Sequence, residues 1–142
     1  MTPLNAPWNV VFFERHPDDD PEKTVPGMVY LNECPDNIQQ EMFAILNAVA
    51  GAPPPSFRNS QVWTAMHDDM AGWFEARKKG QKLLYRVFCL VERSGKGLPG
   101  PSVVVITGMT KKNETAFSDE DYARVRALGE EYKGRTPRSI AR

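Results

Sequence analysis

Runs of β-branched and aromatic residues mark the parts of the chain that are predicted to form strands. The first run is WNVVFFER at residues 8–15. Three more runs follow one another closely, separated by a Gly-containing turn at 79–81 and a Gly- and Pro-rich loop at 94–101, which predicts a meander of consecutive antiparallel strands. These three strands are residues 73–79, 83–92 and 102–109.

Apolar residues at intervals of three and four predict a helix after Pro35, where Asp36 and Asn37 provide a start signal. Gly51 and the prolines at 53–55 end this helix, because neither residue type continues it well. The apolar stripe that should face the core consists of Ile38, Met42, Ile45, Leu46 and Val49.

A second helix is predicted to begin at Ser118. Ser118 and Asp121 have the spacing of a capping box, and Asp119 and Glu120 suit the positive end of the helix dipole. The residues of this helix that should face the sheet are Tyr122, Val125, Leu128 and Tyr132.

The remaining segments are predicted to be less regular. Residues 16–33 form an inserted loop, acidic and exposed at 16–27, with a short extended piece at 28–33. Residues 61–70 contain a short helical turn. The basic tail at 134–142 is expected to be loose, as chain ends often are.

The order strand, loop, helix, three-stranded meander, helix predicts an α+β fold in a single domain, residues 1–142. We expect a small antiparallel sheet of about four strands with the helices packed on one face, which leaves the other face as a binding surface. Cys34 and Cys89 form no CxxC pair, so we expect free thiols, no metal and no cofactor. His16 and His67 are interpreted as exposed or structural residues.

The charges cancel overall but are unevenly distributed. There are 18 acidic and 18 basic residues, which argues against a uniformly basic nucleic-acid-binding protein. The middle of the chain nevertheless concentrates cations, and a local positive field is enough to attract an anion. The absence of a signal peptide and of a long apolar run predicts a cytoplasmic protein with no membrane contact. The cations of the middle segment are Arg77, Lys78, Lys79, Lys82 and Arg86.

Strand alternation collects several of these charges on one face of the sheet. Glu75 and Arg77 are two residues apart and should share a face, and Arg86 of the next strand should join them. Lys111 and Lys112 follow the last strand directly. Because guanidinium groups bind phosphate oxygens in bidentate fashion and lysines add point charges, this set predicts a site for a phosphodiester.

Cleavage of RNA without a metal requires a base for the ribose 2′-OH, cations around the phosphate and an acid for the leaving 5′-oxygen. Glu75, or a lysine whose pKa is lowered by neighbouring cations, could act as the base, and Tyr85 or a lysine as the acid. Arg77 and Arg86 could hold the phosphate. The residues expected to contact RNA around this centre are Trp73 and Phe88, by stacking on bases, and Lys78, Lys79 and Lys82.

The same residues also allow simpler interpretations. The segment ARKKGQK at 76–82 is typical of a solvated hairpin, and Glu75 facing an arginine is typical of a cross-strand ion pair. Lys111 and Lys112 are equally typical of an exposed loop.

Three motifs in the second half of the chain resemble those of RelE-superfamily toxins, above all the phage-derived HigB-like branch. The segment GWFEAR at 72–77 resembles the family's GLWELR strand, and YRVF at 85–88 its YRVFY strand. The segment VVVITGMTKK at 103–112 resembles IVLLHGFxKK, and the helix from Ser118 matches the family's closing helix in place and length. The chain departs from the family at 115–117, which read Thr-Ala-Phe in place of a Lys-Thr-Pro turn.

This resemblance implies a toxin of a type II toxin–antitoxin system, a metal-independent endoribonuclease that cuts mRNA in the ribosomal A site. It implies the ribosome, mRNA and an antitoxin, commonly a helix-turn-helix protein, as partners. Carried onto this chain, the active-site residues are Arg77, Arg86, Lys111 and Lys112, with Lys79, Lys82 and Tyr85 behind them. Glu75 is either a base or the partner that orients an arginine. Two alternatives stay open: a ParE-type toxin that inhibits DNA gyrase, and a module of the same fold that binds RNA or antitoxin without catalysis.

Overall fold

The computed structural model describes residues 7–53, 56–113 and 115–141, and within them five strands and three α-helices. The strands are β1 (Asn9–Phe12), β2 (Trp63–Ala65), β3 (Phe74–Gly80), β4 (Leu83–Glu92) and β5 (Ser102–Lys112). The helices are α1 (Pro26–Glu33), α2 (Asp36–Gly51) and α3 (Asp119–Lys133), and a 3₁₀ turn covers Asp68–Met70. The predicted α+β class is confirmed.

All five strands belong to one sheet, in the order β1-β5-β4-β3-β2. The β2–β3, β3–β4 and β4–β5 pairs are antiparallel, as a meander requires, whereas β1 pairs with β5 in parallel. The parallel pair arises because the chain passes through both early helices and the whole meander before β5 returns beside β1. The sheet therefore has five strands rather than about four, and it is mixed rather than wholly antiparallel.

One face of the sheet is covered by α1 and α2. Leu31 of α1 and Met42 of α2, both fully buried, pack in one cluster with Val87 and Cys89 of β4. At this face the ring of Tyr30 lies directly on β5 at Gly108, where an added Cβ would come within 2.1 Å of the ring. The predicted apolar stripe of α2 therefore faces the sheet as expected.

The other face is covered as well, by α3 and the end of the chain. Val125 and Tyr132 of α3 pack in a second buried cluster with Phe88, Val104 and Ile106. The prediction that helices cover one face only is thus wrong. The reason lies in the long apolar run of β4, which is buried on both sides as a central strand requires.

Three irregular segments also differ from prediction. The presumed extended piece at 28–33 is part of α1, and the segment 61–70 contains β2 in addition to the expected helical turn. The tail is packed rather than loose: Ile140 bridges to Phe13, and Arg135 forms an ion pair with Asp19 of the acidic loop at 3.0 Å. Within the described ranges, no helix has both the length and the apolar character needed to cross a membrane.

Candidate phosphate-binding site

Two rows of cross-strand neighbours bring the predicted charges together on the α3 face of the sheet. Arg77 of β3 lies opposite Arg86 of β4, and two pairs further along the strands Glu75 lies opposite Phe88. Phe88 belongs to the α3 side of the core, so side-chain alternation places Glu75, Arg77 and Arg86 on that side too. The predicted convergence of these three residues on one face is confirmed.

A β-bulge in β5 determines which of Lys111 and Lys112 lies on the same face as the two arginines. The pairing of β4 with β5 shifts between Phe88, which lies opposite Thr107, and Cys89, which lies opposite Val105, so Ile106 is the extra residue. The bulge reverses the alternation of β5 from that point onwards. Lys111 consequently lies on the α3 face, whereas Lys112 lies on the face that carries α1 and α2.

Glu75 is the carboxylate that links the two arginines. Its Oε1 lies 3.4 Å from Nε of Arg77 and 3.8 Å from Nε of Arg86, and its side chain is only 13% exposed. Nε of Arg77 is buried and has no hydrogen bond among the described residues. The arrangement holds both guanidinium groups near one carboxylate but leaves much of their donor capacity unused.

Arg86 is the most buried cation of the group, with 5% of its side chain exposed. Its Nη1 donates a hydrogen bond to the carbonyl oxygen of Tyr85 at 3.0 Å. Burial lowers the pKa of Arg86, and the nearby charge of Arg77 lowers it further, against the opposing effect of Glu75. An anion in the adjoining groove would supply the negative charge that this guanidinium lacks.

Lys111 completes the cationic group from β5. Its Nζ lies 4.7 Å from the centre of the Phe117 ring, a cation–π contact that fixes the amine over the sheet. Burial lowers the pKa of Lys111, and the charges of Arg86 and Arg77 act in the same direction. Lys111 thus lies near enough to Glu75 and the two arginines for their charges to act on it, while among the described residues only the arginines form ion pairs with that carboxylate.

Two aromatic residues of the site, Phe117 and Tyr122, were not among the predicted site residues. Phe117, Tyr122 and the buried Phe88 form a set of edge-to-face contacts with ring centres 5.8–6.2 Å apart. Burial raises the pKa of Tyr122, and the charge of Glu75 raises it further, so its hydroxyl stays protonated at neutral pH. The sequence carried a signal for this pair: Phe117 directly precedes the helix cap Ser118, and Tyr122 is the fourth helical residue, which is the spacing of a hydrophobic staple.

The arginines open into a groove of about 420 Å³ at the edge of β3. The β2–β3 ladder ends at Ala76, and one further backbone hydrogen bond runs from the N–H of Arg77 to the carbonyl oxygen of Val62. Beyond Arg77 the strand edge is accessible from the side. The groove is lined by Gln61, Val62, Arg77, Lys78, Lys79 and Arg86, and it contains no carboxylate from the described residues. Such a groove fits an anion of the size of a phosphate group with its ribose.

Several predicted site residues lie elsewhere. Tyr85 is buried on the α1/α2 face, and Lys112 lies on that face too, so neither reaches the cluster. Trp73 and Phe88 are buried against α3, with Trp73 packed on Gly129, which corrects the prediction that they stack on RNA bases. The large apolar area of these rings explains why the core, and not the surface, holds them.

The three predicted RNA-contacting lysines have different positions. Lys79 lines the groove, and Lys78 lines it while its Nζ lies 3.5 Å from Glu41 of α2. Lys82 lies in the two-residue turn between β3 and β4, where both Gln81 and Lys82 have positive φ angles, of 49° and 68°.

A comparison with known proteins found no relative of this chain. No protein-family model, curated protein or solved structure matches this chain. The resemblance to RelE-type toxins therefore depends on the three motifs of the sequence alone.

Proposed function

We propose that this protein binds single-stranded RNA through the Arg77, Arg86 and Lys111 cluster and cleaves it there without a metal ion. The observation that carries the proposal is the pairing of Arg77 and Arg86 with one carboxylate beside an open groove, with Lys111 of the next strand on the same face of the sheet. By the sequence resemblance, the substrate is mRNA on the ribosome, and the protein is the toxin of a type II toxin–antitoxin pair that acts in the cytoplasm and is inhibited by a helix-turn-helix antitoxin.

The cations stabilise the reacting phosphate. As the 2′-oxygen attacks, negative charge builds on the non-bridging oxygens, and Arg77 and Arg86 can donate to them from fixed positions. Arg86 is suited to this role because its guanidinium is already desolvated and needs little rearrangement when the charge appears. Removing one such donor typically slows a reaction about 10²- to 10³-fold.

Proton transfer falls to three residues around the phosphate. Glu75 or the neutral amine of Lys111, whose pKa is lowered by burial and by the two arginines, takes the proton of the 2′-OH. Tyr122, whose raised pKa keeps its hydroxyl protonated, can return a proton to the leaving 5′-oxygen. In this mechanism Tyr122 is the general acid, the role that was predicted for Tyr85.

The two adjacent lysines of β5 provide a matched test. We expect controlled expression of the protein to stop growth, and primer extension in a translating extract to reveal new mRNA ends that require ribosomes. Lys111→Met should lower the cleavage rate about 10²-fold, whereas Lys112→Met should leave it unchanged, because the bulge turns Lys112 to the opposite face.

Other results would point to other functions. Growth arrest with intact mRNA and inhibited DNA supercoiling would indicate a ParE-type toxin. RNA binding that depends on Arg86 but yields no cuts would indicate a non-catalytic RNA-binding module. Equal effects of the two lysine substitutions would contradict the proposed site.

A further inference from the structure

The edge of the sheet beside the cationic groove has no neighbouring strand beyond Arg77. β2 pairs with β3 only from Phe74 to Ala76, and the N–H of Arg77 then donates to the carbonyl oxygen of Val62 at 2.8 Å. Because backbone groups point alternately to the two sides of a strand, the N–H and C=O of Lys79 also point away from β4, towards this edge. Neither group has a hydrogen-bond partner on that side among the described residues. β3 therefore offers an unpaired donor and acceptor to an added strand.

The side chains along this edge carry an excess of positive charge. Four cations line the groove beside it, and none of the described residues lining the groove is a carboxylate. Within the part of the chain that the structure describes, only Glu75 and Glu41 lie within ion-pairing distance of these cations, and together they pair with three of them. Lys79, the fourth, is exposed and forms no ion pair with a described residue. Unpaired backbone groups and uncompensated positive charge thus lie side by side.

These charges determine which strand the edge can accept. Like charges on opposing strands destabilise a sheet, so the same cationic edge of a second copy of this chain is a poor partner. Opposite charges across a strand pair are favourable, so an added strand should be acidic. A phosphodiester backbone can bind the cations, but it has no donor for the C=O of Lys79. An extended peptide supplies a donor and an acceptor at every second residue, so it matches the edge as well as the charge.

We propose that the edge of β3 at residues 77–80 accepts an extended acidic segment of a partner protein as an added antiparallel strand. The antiparallel direction continues that of β2 and is the more stable pairing per residue. Every second side chain of the added strand lies on the face that carries Arg77 and Lys79, so the segment should have acidic residues two positions apart. The added strand would occupy the groove in place of RNA; this consequence rests on the proposed function, whereas the binding of the segment does not.

A labelled peptide tests the added strand directly. Fluorescence anisotropy of a fluorescein-labelled peptide of alternating glutamate and valine (EVEVEV) should report binding to the full chain that weakens with salt, and the lysine analogue KVKVKV should not bind. In the antiparallel arrangement the glutamate N–H groups point to β3 and the valine N–H groups point away. N-methylation of the glutamate nitrogens should therefore weaken binding at least about tenfold, whereas N-methylation of the valine nitrogens, the matched control, should leave it unchanged.

Two substitutions at Lys79 separate its charge from its N–H. Lys79→Ala removes the charge and keeps the N–H, and it should weaken peptide binding about two- to fivefold. Lys79→Pro also removes the N–H, which faces away from β4, and it should weaken binding at least about tenfold further. Lys112→Ala removes one cation from the opposite face of the sheet and should not change the affinity. The methylated peptides test the same hydrogen bond in the unmodified protein, so the result does not depend on the folding of Lys79→Pro.

Competition with RNA separates this inference from the proposed function. An unlabelled uridine oligonucleotide should displace the bound peptide, because both ligands need the groove lined by Arg77 and Arg86. Peptide binding that the oligonucleotide does not displace would refute RNA binding in the groove and leave the added strand in place. Failure of EVEVEV to bind, or equal affinity for the two methylated peptides, would refute the added strand, and RNA cleavage that still requires Arg86 would then leave the proposed function intact.

Discussion

Arg86→Met is expected to make the protein more stable while removing its activity. The side chain of Arg86 is 5% exposed, and its charge is opposed by a single carboxylate whose oxygen lies 3.8 Å away. Methionine has a similar length and flexibility and can fill the same space without a charge. Glu75 would keep its other partner, Arg77, at 3.4 Å.

The sign of the effect follows from the competing interactions. At an effective dielectric constant of about 20, the attraction between Arg86 and Glu75 at this distance is about 4 kcal/mol. Desolvation of a buried ion costs several kcal/mol, and Arg77 and Lys111 add repulsion. The lowered pKa of Arg86 indicates that the unfavourable effects outweigh the attraction. Replacement of such buried charges by apolar residues commonly stabilises a protein, and we expect a gain of about 1–3 kcal/mol.

Urea unfolding measures this gain directly. The midpoint should rise in Arg86→Met with an unchanged m value, whereas Arg124→Met, which removes an exposed cation of α3, should change stability by less than about 0.5 kcal/mol. RNA cleavage should fall about 10²- to 10³-fold in Arg86→Met alone. A lower urea midpoint in Arg86→Met at constant m would show that Arg86 stabilises the fold, and its charge could then no longer be explained as a cost to stability that serves binding.

Three further predictions concern packing, capping and pH. Gly108→Ala should destabilise the protein by about 1–3 kcal/mol in thermal unfolding, because the new Cβ collides with a tyrosine ring of α1. Gly51→Ala, with no atom within 4 Å of the new Cβ, should be neutral or slightly stabilising. Equal stability of the two variants would contradict the packing of α1 on β5. Ser118→Ala should cost about 1 kcal/mol through loss of the capping box. The backbone N–H of Ser118, and after it the hydroxyl, lower the pKa of Asp121, so the stabilisation from this carboxylate is complete above its ordinary pKa of about 3.9 and is lost as pH falls through the lower folded value. Alanine keeps the N–H and removes the hydroxyl, so carbon NMR titration should show that pKa rising only part of the way in Ser118→Ala. If Lys111 is the base, the cleavage rate should rise as the pH approaches the lowered pKa of Lys111. Lys111→Arg stays charged, so its cleavage rate should not rise with pH in this way. An unchanged pH–rate profile in Lys111→Arg would assign the base to another group.

Local patterns in the sequence determined most of the elements, though not α1 or β2, and half of the site. Spacing of apolar residues located α2 and the meander strands, and a capping box located the start of α3, because these signals depend on residues only a few positions apart. The shared face of Glu75 and Arg77 follows from the same short-range rule, since both belong to one strand without an interruption.

The tertiary structure alone decided the remainder, because each such feature depends on residues far apart in the chain. Strict alternation from Val105 onwards would have put Lys112 on the site face; the bulge at Ile106, visible only in the pairing of β4 with β5, puts Lys111 there instead. The docking of α3 turned an expected open face into a second core and brought Tyr122 to Glu75. The composition of the chain determines which charged residues are present, and long-range packing determines which of them lie close together.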